Sequence, residues 1–198
     1  MNSKFLNQEI FFTTHDYASQ NALEISAASK QLHRLYAKKA IEKVTRGIWA
    51  NINHPYYHPL GADPYLLGKE QGYVSFLTAL HHHGIISQIP SKFQIATTGH
   101  TRELKSSIGH FDFIHLTPHM MNKGIEWSKS KSSYLIANAE KALLDTLYIS
   151  TRKGQRFSSL PEIDPEELDM KYLNRLVKET IKSKIIKTSI QKYLARQI

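Results

Sequence analysis

Hydrophobic positions recur with helical spacing in some stretches of the chain and alternate in others. Phe5, Leu6 and Ile10 suit a short amphipathic helix over residues 4–10. Thr13-Thr14 offers an N-cap for a second short helix, HDYASQNA. Ser26 is placed to cap a third, AASKQLHRLYAKKA, whose stripe Ala28, Leu32, Leu35 and Tyr36 is expected to face a core. Ile41, Lys43 and Thr45 then alternate with Glu42 and Val44, and Arg46-Gly47 separates them from Ile48-Trp49. That predicts two short strands around a tight turn in which Gly supplies positive φ. Residues 53–65, NHPYYHPLGADPY, carry three prolines and read as a linker or extended crossover.

Further along, YVSFLTALHHHG sets Val74, Leu77 and Leu80 on one helical face, with Gly84 as its stop. KFQIATTG, HFDFIHL and SSYLIA are strand candidates. Asn138 caps a helix AEKALLDTLYIS with Ala142, Leu143, Leu144 and Leu147 as its apolar side and Glu140 in its first turn. The end of the chain predicts two basic helices, the first opened by Asp164-Pro165. Leu168, Tyr172, Leu176 and Ile181 form one apolar stripe, and Ile185, Ile186, Ile190 and Leu194 the other. The expected fold class is α+β. A winged helix-turn-helix (1–52) and a linker (53–66) lead to a mixed α/β body with a helical C-terminal tail (67–198).

Charge sharpens this division. Residues 1–55 carry seven Lys and Arg against four Asp and Glu, residues 56–150 eight against seven, and residues 151–198 eleven against six. Both ends are basic around a nearly neutral middle, so the ends suit a phosphate backbone or another anionic partner. In the winged-helix reading Ser26, Ala27, Lys30 and Gln31 lie where a recognition helix meets the major groove. Arg34 and Lys38 reach phosphates, and Thr45 and Arg46 stand at the wing. The chain has no Cys, which excludes disulfides, thiolate zinc sites and a Cys nucleophile. No apolar run approaches the ~20 residues of a membrane-spanning helix. The start MNSKFLNQEIFF lacks the apolar core and cleavage site of a secretory leader. The expected location is the cytoplasm, with no membrane partner.

Three segments carry a resemblance. VTRGIWA (44–50) resembles the hairpin closing the N-terminal domain of AbiE-type (abortive infection, type IV toxin–antitoxin) antitoxins. YVSFLTALHHHGIISQIPSKFQIAT (73–97) is similar to that family's Ser-containing helix, Gly stop, Gln-x-Pro turn and strand. ANAEKALLDTLY (137–148) is similar to its Glu-Lys-Ala-x-x-Asp helix. The likeness covers roughly residues 4–150. Trp49 stands where Tyr is more usual, and Ala139 where Pro usually precedes the Glu. The resemblance implies a transcriptional regulator whose winged helix represses its own operon and whose body counters a nucleotidyltransferase-like toxin. It maps the DNA-contacting role onto Lys30, Gln31, Arg34 and Arg46. Two copies on an inverted repeat of its own promoter are expected, because one winged helix covers little DNA.

Two rival functions remain at this point: a protein-interaction module without specific DNA binding, and a nucleic-acid-processing enzyme. Glu103-Leu104-Lys105 has the Glu-x-Lys spacing of a metal-holding nuclease. With 11 Glu and 19 Lys, composition alone yields about one such triplet. KFQIATTG, the strand candidate before it, supplies no second carboxylate. His81-His82-His83 point in different helical directions, while Pro residues spoil the four-residue spacings His54/His58 and His115/His119. Ser75 and Thr78 read as ordinary helix residues. The expectation is a non-enzymatic protein with no metal and no cofactor.

Overall fold

A computed structural model describes residues 3–152, 156–157 and 160–197. Met1, Asn2 and Ile198, at the ends of the expected N-terminal domain and tail, lie outside the described residues. The protein is α+β, with eight helices and two sheets among those residues.

The N-terminal elements are α1 (Ser3–Gln8), β1 (Phe11–Thr13), α2 (Thr14–Gln20), α3 (Ile25–Ala37), β2 (Glu42–Thr45) and β3 (Ile48–Ala50). The strands form an antiparallel sheet in the order β1-β3-β2. A capping box starts α2. The Thr13 hydroxyl accepts from the Asp16 N–H at 3.1 Å, while the Asp16 carboxylate accepts from the Thr13 N–H at 2.8 Å. Ser26 does not cap α3: the helix begins two residues earlier than expected, at Ile25, and Glu24 occupies the cap position without a side-chain bond. The β2–β3 turn needs Gly47, whose φ is +77°. Alternation puts Phe12 and Trp49 in a cluster with Phe5, Tyr17, Leu32 and Ile41 from the helical side, and Phe11 and Ala50 on the opposite face.

The segment expected to be a linker is largely helical. A 3-10 turn (Pro59–Ala62) runs into α4 (Asp63–Leu67), and each begins with a proline at its first or second position. There the fixed φ starts a helix rather than breaking it. Gly61 passes so close to Ser132 that a Cβ would stand 1.9 Å from its Oγ.

The larger sheet contains β4 (Gly72–Val74), β5 (Phe93–Thr97), β6 (Arg102–Ser106), β7 (Gly109–His115), β8 (Ile125–Trp127) and β9 (Leu135–Ala137). Its order is β6-β7-β5-β4-β9-β8, with β5–β7 and β4–β9 parallel and the other pairs antiparallel. The helices α5 (Phe76–His82), α6 (Ala139–Ser150), α7 (Met170–Thr180) and α8 (Lys184–Gln197) complete the body. They share a core with Tyr73, Val74, Ala96, Ile114 and Ile136 from the sheet. Side chains from the other face, Ile95, Phe111 and Phe113, pack with Phe11, Val44, Ala50, Ala62 and Leu67. The large sheet is therefore covered twice, by helices on one side and by the small sheet and α4 on the other.

Several expectations change here. Val74 belongs to β4 rather than to the helix, and α5 buries Phe76, Ala79 and Leu80 while Leu77 is half-buried. Ser75 sits at the cap position before α5, not inside it. Gly84, at φ +76°, does follow that helix. Asp164 does not open α7; Asp169 does, accepting from the Lys171 and Tyr172 N–H groups at 2.9 Å. The two-helix ending and the Asn138 cap of α6 stand as expected, but the stripes differ. α7 buries Leu173, Leu176 and Val177 with Tyr172 half-buried, and Leu168 and Ile181 flank it. On α8, Ile185 is 81% exposed while Ile190 and Leu194 are buried.

Candidate nucleic-acid interface

The face of α3 that looks inward carries Ala28, Leu32 and Leu35, all buried. Tyr36, expected beside them, is 41% exposed, and its ring lies 6.3 Å from that of Trp49. A single tyrosine at the edge of the stripe covers Trp49 without entering the core. His33 meets the same indole edge-on at 5.3 Å, so α3 packs along β3. The Trp49 indole N–H donates to the Thr14 hydroxyl at 3.0 Å, and the Thr14 N–H donates to the Gly47 carbonyl at 2.9 Å. Helix, hairpin tip and α2 are thus tied through Trp49 and Thr14.

The outward face of α3 carries Ser26, Lys30 and Arg34 at four-residue spacing, with Lys38 next in the series at the helix C-cap; all four are exposed. Ala27 is half-buried beside them. Gln31 is exposed, but its side-chain oxygen accepts from the Tyr17 hydroxyl at 3.1 Å, leaving the amide NH2 to donate outward. At the hairpin, Thr45 is half-buried and Arg46 exposed. Among the described residues, both members of every ion pair fall within positions 70–179, so Lys30, Arg34, Lys38 and Arg46 have no acidic partner. Four unneutralised cations on one helix edge and one turn make a local field that an extended polyanion neutralises.

No protein-family model matches the chain, and no curated protein matches it.

The other sequence candidates are placed as follows. Glu103 and Asp112 face each other across β6 and β7. Glu103 accepts from Lys92 at 2.6 Å and from His110 at 3.0 Å, while Asp112 pairs with Arg156 at 2.9 Å. The Lys92 hydrogen bond holds the Glu103 carboxyl below its ordinary value, while burial pushes that of Asp112 up against the pull of Arg156. Both carboxylates are thus engaged by cations of the chain itself. Among the described residues, no group of three His, Asp or Glu comes together to hold a metal, and no helix is long and apolar enough to cross a membrane. His58 stacks on Tyr134 at 5.5 Å, and His83 bonds the Ala137 carbonyl at 2.8 Å.

Sequence reasoning missed one constellation. Lys141 and Asp145, one turn apart on α6, are fully buried and paired. The Tyr73 and Ser75 hydroxyls both donate to Asp145, at 2.9 and 2.8 Å. Burial pushes the Asp145 carboxyl up, while Lys141 and the two hydroxyls pull the other way. The Lys-Asp spacing was the available signal. What the sequence pattern did not convey is that α6 is buried from Glu140 to Ile149 on every side.

Proposed function

We propose that this chain is a DNA-binding transcriptional regulator with an N-terminal winged helix, in which α3 enters the major groove and the β2–β3 hairpin is the wing. The observation that carries it is the exposed, unneutralised row Lys30, Arg34 and Lys38 together with Arg46 at the hairpin tip. The order of elements, with two helices following β1 and a hairpin closing a β1-β3-β2 sheet, supports the same reading. Lys30 and the Gln31 amide meet base edges near the helix start, Arg34 and Lys38 take phosphates, and Arg46 reaches the adjacent backbone or minor groove. On the resemblance of residues 44–50, 73–97 and 137–148 to AbiE-type antitoxins, the regulated DNA is its own promoter. On the same likeness, the cytoplasmic body counters a nucleotidyltransferase-like toxin and has no catalytic role.

Fluorescence anisotropy on the upstream DNA and a scrambled duplex, across a salt series, tests the DNA reading. The expected result is a preference of about a thousandfold and a loss of about tenfold or more between about 50 and 200 mM salt. Arg34→Ala and Arg46→Ala should each cost about 1–3 kcal/mol of binding. Equal, weak binding to both duplexes that neither substitution changes would overturn it and leave α3 as scaffold for a protein-binding body.

A further inference from the structure

A cavity of about 480 Å³ opens between α4 and the β8 edge of the large sheet. That is within the usual range for a small-molecule site and well beyond a water-sized void. Its walls include Leu67, Met121, Ile125 and Trp127, and two acidic side chains, Asp63 and Glu70. Among the described residues no Lys, Arg or His lines it, although the chain carries 26 Lys and Arg in all.

The two carboxylates differ. Glu70 is engaged by Arg102 at 2.7 Å and by the Thr97 hydroxyl at 3.0 Å. Asp63 is only 2% exposed, and among the described residues its side chain has neither an ion-pair nor a hydrogen-bond partner; its Oδ1 is sealed from solvent without one. A buried carboxylate without a partner is costly, and native structures seldom leave one so. On the cavity wall stands Trp127, 65% exposed and therefore an aromatic ring of the sheet edge that the fold itself does not bury.

We propose that this cavity binds a small organic cation, an amine with an apolar body, whose ammonium meets Asp63 and whose body lies against Trp127, Met121 and Leu67. An acid without a partner attracts the charge, an indole face adds cation–π attraction, and the apolar wall takes the hydrocarbon. A hard metal ion does not fit the same walls. It needs about six oxygen ligands, and here one carboxylate is already engaged and much of the lining is carbon.

The test titrates the intact protein with three probes of one shape: phenethylamine, its neutral isostere 2-phenylethanol, and the anion 3-phenylpropanoate. Calorimetry gives affinity and stoichiometry, and tryptophan emission reports on Trp127, because Trp49, the other tryptophan, is buried in the N-terminal cluster. The amine should bind one-to-one and change the emission, the alcohol should bind about tenfold or more weaker, and the acid should not bind. Asp63→Asn should weaken the amine by about thirtyfold or more while circular dichroism stays unchanged. Trp127→Phe should abolish the emission change and lower affinity severalfold. No amine binding up to about 10 mM, equal binding of amine and alcohol, or unchanged affinity in Asp63→Asn would each overturn the proposal.

Discussion

Asp63→Asn keeps the shape of the side chain and removes its charge, so it isolates what the buried carboxyl does to stability. Unfolded, the group titrates near 3.8, whereas burial pushes it up to about 7 in the folded protein. The folded state therefore holds the proton more tightly than the unfolded state. Its contribution is fully present below 3.8 and is lost as pH rises through about 7. At about 1.4 kcal/mol for each tenfold in proton concentration, the interval amounts to about 4 kcal/mol of destabilisation at pH 8. The asparagine amide also sits without a partner, as the protonated acid does, so the two proteins should match only near and below pH 3.8, and the gap should already exceed about 1 kcal/mol at pH 5. By pH 8 the variant should be more stable by about 2–4 kcal/mol. Urea unfolding at several pH values between about 3.5 and 8.5 measures the gap. Saturating phenethylamine should narrow it at pH 8 by stabilising the wild-type carboxylate. Parallel stability curves for the two proteins would refute the burial argument, as would a wild type that is the more stable at pH 8.

Other substitutions test the packing. Lys141→Met leaves the Asp145 carboxylate buried beside two hydroxyls only and should cost about 3–5 kcal/mol by chemical denaturation. Lys141→Met with Asp145→Leu should cost less than the two single changes added together, and strict additivity would contradict the pairing. Gly61→Ala drives a methyl into Ser132 Oγ and the Phe11 ring and should lower stability by about 1–3 kcal/mol. A neutral result there would mean that the 59–62 turn moves freely away from β1.

Most helices were legible in the sequence because their apolar spacing and caps agree. Thr13 with Asp16 and Asn138 with the Lys141 N–H are local hydrogen bonds that local sequence can announce. Strands β1, β4, β6 and β8 were not legible. Three of them are only three residues long, and β6 alternates half-buried with exposed residues at a sheet edge, so none presents an apolar or alternating run long enough to announce a strand. The prolines at 59 and 64 were misread for a related reason. Proline ends a pattern and also begins a helix, and only the burial of Leu60 and Ala62 distinguishes the two.

The two sites differ in the same way. The α3 row is a property of one helix, so four-residue spacing alone put Ser26, Lys30, Arg34 and Lys38 on one edge. The cavity is a property of the whole body: Asp63 comes from α4, Tyr73 from β4, Met121 from the loop before β8, and Trp127 from the sheet edge. No spacing rule joins residues about sixty positions apart. Moreover, an acid in a proline-rich stretch reads as a solvated loop residue until neighbouring elements close over it. The segment that bears Asp63 also joins the two sheets. The Tyr65 hydroxyl donates to the Phe11 carbonyl at 2.7 Å, and Ala62 and Leu67 pack with Phe11, Val44 and Ala50. The energy of an unpartnered carboxylate is therefore held in the connection between the exposed basic helix and the body, not in either alone. Gly61→Ala and Asp63→Asn perturb that connection in opposite directions at alkaline pH, one by crowding it and the other by removing its charge. If residues 59–67 respond as one packed unit, the stability changes of the two substitutions should depart from additivity in the double variant, by about 0.5 kcal/mol or more.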